Sequence, residues 1–107
     1  MNDSSEWIDV MAADALPRDD VRAVEVAGQD LALCTVGDAV YAVDDLCTHG
    51  QARLSDGFLD GHELECPLHQ GRFDVRDGSA RCAPVSEGLR CHPVRIEGGR
   101  VWVRLDR

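Results

Sequence analysis

The chain has 107 residues, 44% of them hydrophobic and 29% charged, with twenty acidic residues against eleven basic ones, all arginine, for a formal net charge of −9. One ordinary globular domain is expected, burying roughly 60–70% of the surface of the unfolded chain. A pI near 4.7 argues against nucleic acid or anionic lipid as partners and leaves a basic protein surface as the complementary one. No apolar run approaches the eighteen or so residues of a membrane span. Met1 to Asp9 carries Asp3, Glu6 and Asp9 and no base, the reverse of a signal peptide's start, so a cytoplasmic location is expected.

Trp7 to Met11, Val21 to Val26, Leu31 to Val36 and Ala39 to Val43 are short apolar runs between turn residues, the pattern of strands. Ala12 to Leu16 leaves room for one helical turn before Pro17 and the acids that follow it. Ala27-Gly28-Gln29-Asp30 and Gly37-Asp38 are the expected turns, the second a two-residue hairpin signal, and together they predict an antiparallel meander. Residues 45–86 hold three of the five cysteines, three of the four histidines and many Gly, Asp and Pro residues, the composition of loops around a site. Near the C-terminus, Val94 and Ile96 alternate with Arg95 and Glu97, Gly98-Gly99 turns the chain, and Val101, Val103 and Leu105 alternate with Trp102 and Arg104. That predicts a hairpin with one buried face, with Trp102 on the outward phase at a sheet edge. The fold class is mainly β, one domain in which segment 45–86 is inserted between base segments 1–44 and 87–107.

Cys34, Cys47, Cys66, Cys82 and Cys91 are an odd number in a chain without export features, which favours metal ligation over a disulfide framework. The informative residues are Cys47-Thr48-His49-Gly50 and Cys66-Pro67-Leu68-His69-Gln70-Gly71, with sixteen residues between His49 and Cys66. A mononuclear zinc site would also accept two thiolates and two imidazoles, and such sites commonly pair cysteine with cysteine. Here each pair is mixed. Two loops that each offer one sulfur and one nitrogen suit a site with two unlike metal positions, the asymmetry of a binuclear iron–sulfur cluster.

On these residues the sequence resembles the Rieske family, whose pattern Cys-x-His, a long spacer, then Cys-x-x-His is matched by Cys47, His49, Cys66 and His69. Trp7-Ile8-Asp9, Leu54-Ser55-Asp56-Gly57-Phe58-Leu59 and the run from Glu65 to Val75 extend the likeness to soluble Rieske ferredoxins of naphthalene-dioxygenase-type systems. The resemblance implies a small antiparallel β-sandwich base with an inserted cluster-binding subdomain. It implies one 2Fe–2S cluster, with Cys47 and Cys66 on one iron and His49 and His69 on the other, the histidines at an exposed tip. Gly50 and Gly71 would let backbone N–H groups approach the cluster sulfides, Pro67 would stiffen the second loop, and Ala83-Pro84-Val85 is similar to a third, covering loop. Respiratory-chain relatives carry an extra cysteine in each loop, a serine and a tyrosine. The corresponding positions here resemble Ala52, Leu68, Gly71 and Phe73, which places the expected potential near the low end of the Rieske range, around −150 mV.

The implied role is a single-electron carrier from an NAD(P)H-dependent ferredoxin reductase to a terminal Rieske non-haem iron aromatic-ring oxygenase, a component and not itself an enzyme. Consistent with that, the chain has neither a Gly-x-Gly-x-x-Gly fingerprint nor a spare pair of histidines with a carboxylate for a mononuclear iron site. A monomer with transient docking is expected, with Gln51, Gln70 and Pro84 as docking residues. The alternatives are a Rieske-type small subunit of a nitrite reductase-like complex and a zinc-binding structural module. Cys34, Cys82 and Cys91 read as structural thiols, and His62 and His92 as surface or edge histidines.

Overall fold

The computed structural model describes residues 6–48, 52–68, 71–82 and 87–105, with Cys82 described by its backbone. Among the described residues, eleven strands make three antiparallel sheets, as the mainly β expectation requires. β1 (Ile8–Ala12) leads through a 3₁₀ turn (Ala13–Ala15) to the meander β2 (Val21–Val26), β3 (Gln29–Val36) and β4 (Ala39–Asp44). Four short strands follow: β5 (Phe58–Asp60), β6 (Glu63–Glu65), β7 (Arg72–Asp74) and β8 (Ala80–Cys82). β9 (Cys91–His92), β10 (Val94–Glu97) and β11 (Arg100–Val103) close the chain.

The turns follow local chemistry. Ala27 and Gly28 both have positive φ, at 50° and 81°, as do Gly98 and Gly99, at 61° and 75°. Positive φ at both central residues is the signature of two-residue hairpin turns whose twist matches that of the strands. The first turn is therefore two residues long, and Gln29 and Asp30 belong to β3, where they pair with Val26 and Glu25.

The strand order corrects part of the sequence reading. β1 does not join the meander but pairs with β11, Ile8 opposite Val103, in a sheet ordered β1-β11-β10. The 3₁₀ turn and the bend before Val21 carry the chain from one sheet to the other. β11 is consequently a central strand, so Trp102 lies on the outer face of a sheet centre and not at an edge, its indole Nε1 donating to the Glu97 carbonyl at 3.2 Å. Segment 45–86, read as loops, contains the sheet β5-β6-β7-β8, whose strands of three residues are too short to show periodicity.

The sheet β2-β3-β4-β9 is the middle layer. Leu31 and Leu33 of β3 pack with Val101, Val103 and Leu105 on one face, while Ala32 and Cys34 pack with Leu54, Leu64, Phe73 and Val75 on the other. Because both faces are covered, Leu31 to Thr35 are all buried, and the strand reads as a continuous apolar run. Each fully buried large side chain contributes roughly 1.5–3 kcal/mol. Among the described residues, no helix is long and apolar enough to cross a membrane.

Candidate metal centre

The two cysteine-bearing loops are hairpins closed in one common register. In the first, the Cys47 N–H donates to the Ala52 carbonyl at 3.0 Å, Leu46 forms a bridge with Arg53, and the Leu54 N–H donates to the Asp45 carbonyl at 2.7 Å. In the second, the Cys66 N–H donates to the Gly71 carbonyl at 2.7 Å, Glu65 lies opposite Arg72, and Leu64 opposite Phe73. Counting outward from each cysteine, every rung of one hairpin has its counterpart in the other. Cys47 and Cys66 are 2% and 1% exposed and belong to the same apolar cluster, together with Leu54, Leu64 and Phe73. The hairpins thus place two soft sulfur donors, at equivalent positions, over one core.

Each hairpin is anchored differently. Beneath the first, the Asp45 carboxylate, fully buried, accepts from the Ser55 N–H and the Ser55 hydroxyl, both at 2.8 Å, with the Arg53 guanidinium 3.7 Å away. The Thr48 hydroxyl donates to the Glu87 carbonyl at 2.8 Å, fastening the loop to the chain that precedes β9. The second hairpin carries its charges half-buried on its flank. Arg72 reaches Glu65 at 2.9 Å and Glu63 at 3.1 Å, and hydrogen bonds to these two carboxylates raise its pKa. Gly57 packs under this loop: a Cβ there would collide with the Glu65 carbonyl and press on Pro67.

Two further groups have perturbed acidity. The Arg76 guanidinium hydrogen-bonds Asp74 and holds its carboxyl down at about 2. Burial pushes the Cys34 thiol up to about 12, assisted by the negative charge of Asp45, which makes it an unreactive core residue as expected.

Of the residues singled out in the sequence, Cys47 and Cys66 are brought together over one core. His49, Gly50, Gln51, His69, Gln70 and Ala83 to Val85 lie outside the described residues. Gly71 is buried and accepts the hydrogen bond that closes the second hairpin. His62 meets Tyr41 edge-on, with ring centroids 6.0 Å apart. Of the reading of His92 as a surface or edge histidine, the edge half holds, since β9 is the outer strand of its sheet, and the surface half does not: its side chain is fully buried, with Nε2 2.8 Å from Asp44 Oδ1, tying β9 to β4. Asp45, Ser55 and Gly57 were not anticipated as supports of the loops. A signal for the shared register did exist, since each cysteine is followed six residues later by an arginine, Arg53 and Arg72, and seven later by a large apolar residue, Leu54 and Phe73.

Comparison with known proteins decides what the paired loops belong to. Residues 6–93 match the Rieske [2Fe-2S] domain. The chain belongs to the Rieske family. It is 55% identical to the ferredoxin component of a naphthalene 1,2-dioxygenase system of Pseudomonas aeruginosa, over 96% of this chain and 99% of that one. Among solved structures, the ferredoxin of a carbazole 1,9a-dioxygenase from Nocardioides aromaticivorans IC177 superposes with a TM-score of 0.90 at 34% identity, covering 94% of this chain and 98% of that one. A ferredoxin chain described in complex with the oxygenase of carbazole 1,9a-dioxygenase gives 0.87 at 39% identity, over 96% and 94%. The Rieske domain carries a single 2Fe–2S cluster, and two thiols from matched turns over one core, each followed in sequence by a histidine, are a donor set that fits it.

Proposed function

We propose that this Rieske protein is the ferredoxin component of a multicomponent aromatic-ring dioxygenase system. It carries single electrons from an NAD(P)H-dependent ferredoxin reductase to a terminal Rieske non-haem iron oxygenase. The observation that carries this reading is the near end-to-end match to a stand-alone ferredoxin component, in a chain whose two thiols sit in hairpins of equal register. The same match leaves the nitrite reductase-like subunit without support. Residues 45–86 form the cluster-binding subdomain in this reading, with Cys47 and Cys66 as thiolate ligands of one iron and His49 and His69 as imidazole ligands of the other. When bound, the cluster supplies a one-electron couple.

The chain's own residues do the rest. Burial of Cys47 and Cys66 among Leu54, Leu64 and Phe73 keeps water from the thiolates. Each hairpin presents one leucine to solvent, Leu46 at 63% exposure and Leu68 at 55%, and Phe58, beside Gly57 at the foot of the second hairpin, is 67% exposed. We assign docking of the oxygenase to these three side chains and to Gln51, Gln70 and Pro84, in a transient contact made by a monomer. The net charge of −9 speeds encounter with a basic partner surface. The system we assign operates in the cytoplasm.

The test is an electron paramagnetic resonance spectrum of dithionite-reduced protein, with iron and acid-labile sulfide measured on the same sample. About two irons per chain and a rhombic signal of low average g support the reading, and a colourless protein holding zinc overturns it. With reductase, NADH and oxygenase added, Leu68→Gln should lower the second-order rate of oxygenase reduction about tenfold and leave the spectrum unchanged.

A further inference from the structure

The two hairpins share a register but differ at one buried position. Asp45 and Leu64 each stand two residues before their cysteine, opposite Leu54 and Phe73, and both are fully inaccessible to solvent. Leu64 shows that an apolar side chain suffices to build such a hairpin, so the charge of Asp45 is not needed for the turn. A carboxylate taken out of water carries a desolvation cost that hydrogen bonds must offset. Ser55 supplies two donors at 2.8 Å, while Arg53 stays 3.7 Å away with its side chain 54% exposed. The charge is felt locally, since Asp45 adds to burial in raising the pKa of the Cys34 thiol on the neighbouring strand.

We infer that Asp45 is a positioning residue whose buried carboxylate holds a fixed negative charge under the first metal-binding loop and, balanced by Arg53, sets the reduction potential of the cluster. This rests on the reading of Cys47 as a cluster ligand. Asp45 is two residues from Cys47, at most about 7 Å along an extended backbone. An electron added to a cluster held by Cys47 is repelled by the carboxylate, and the repulsion is strong where water does not screen it. The charge therefore disfavours the reduced state and lowers the potential. Arg53 acts with the opposite sign but less strongly, because it lies at the surface. The effect adds to the missing side-chain donors in keeping the potential low.

The experiment is a redox titration of purified, iron- and sulfide-quantified holoprotein as wild type, Asp45→Asn, Arg53→Gln and Ser55→Ala. Asp45→Asn should shift the one-electron reduction equilibrium about tenfold toward the reduced form, a potential about 59 mV higher. Arg53→Gln should shift it the other way by a smaller factor, and Ser55→Ala, which keeps the charge, should change it less than either. A merely structural role loosens the loop in all three and gives no opposed signs. Equal potentials at full cluster content, or shifts of one sign in Asp45→Asn and Arg53→Gln, overturn the inference. Should Asp45→Asn not retain its cluster, Arg53→Gln against Arg53→Lys decides: the first should lower the potential and the second preserve it, and equality of both with wild type overturns the inference. A wild-type protein without iron refutes the cluster reading instead, which is a different result.

Discussion

The hairpin that starts at Asp45 and the one that starts at Leu64 solve one geometric problem with opposite placements of charge. The first keeps its acid inside, gripping Ser55 across the strand pair, and leaves Leu46 exposed on the next rung. The second keeps leucine inside and puts Glu65 and Arg72 on that rung as a half-buried ion pair. What the pair teaches is that backbone register, and not any one side chain, makes the turn. The side chains are then available to tune what the turn holds.

Exchanging cysteine for serine breaks the comparison most severely. Cys47→Ser and Cys66→Ser should each abolish the visible absorption of the cluster, to the same extent, since the two positions are equivalent. A hairpin whose serine variant keeps a full complement of iron is not a ligand loop. Core truncation is next: Leu54→Ala and Phe73→Ala remove the residues opposite Asp45 and Leu64 and should cost about 2–5 and 3–5 kcal/mol in chemical denaturation. Gly57→Ala strikes the second hairpin first, because the added methyl meets the Glu65 carbonyl. It should destabilise by about 3 kcal/mol, the upper end for overpacking, with hydrogen exchange accelerating at Cys66 and not at Cys47.

The smallest effect sharpens the contrast through pH. Asp74 follows Phe73 as Ser55 follows Leu54, and its carboxyl titrates at about 2 because of Arg76. A carboxyl held below its unfolded value stabilises the fold at pH above that value and loses its contribution as pH falls through the folded one. The melting-temperature gap between wild type and Asp74→Asn should therefore be full at neutral pH and close between about 4 and about 2. A gap that persists unchanged at pH 2 would show that Arg76 does not hold the ionised form.

Much of this molecule was legible in its sequence where the signal was local. Val21–Val26 and Ala39–Asp44 stand where apolar runs and turn residues put them, and the paired motifs around Cys47 and Cys66 led to the family that the comparisons show. The rest depended on partners far along the chain. Nothing near Ile8 says that it faces Val103. Nothing near His92 says that Asp44, 48 residues earlier, will take it out of solvent. Two-residue β9 and three-residue β5 to β8 are too brief for alternation to register. The support given by Asp45 was hidden because a charged residue after a strand reads as a surface residue, and only the fold covers it.

The middle sheet, covered on both faces, has a consequence for how the molecule comes apart. Ala32 and Cys34 belong to the core under the cysteine-bearing hairpins, while Leu31 and Leu33 of the same strand belong to the core under β11. Neither half can melt without exposing the other's floor, so the chain should unfold in one cooperative transition, in which loss of the cluster and loss of the sandwich are the same event.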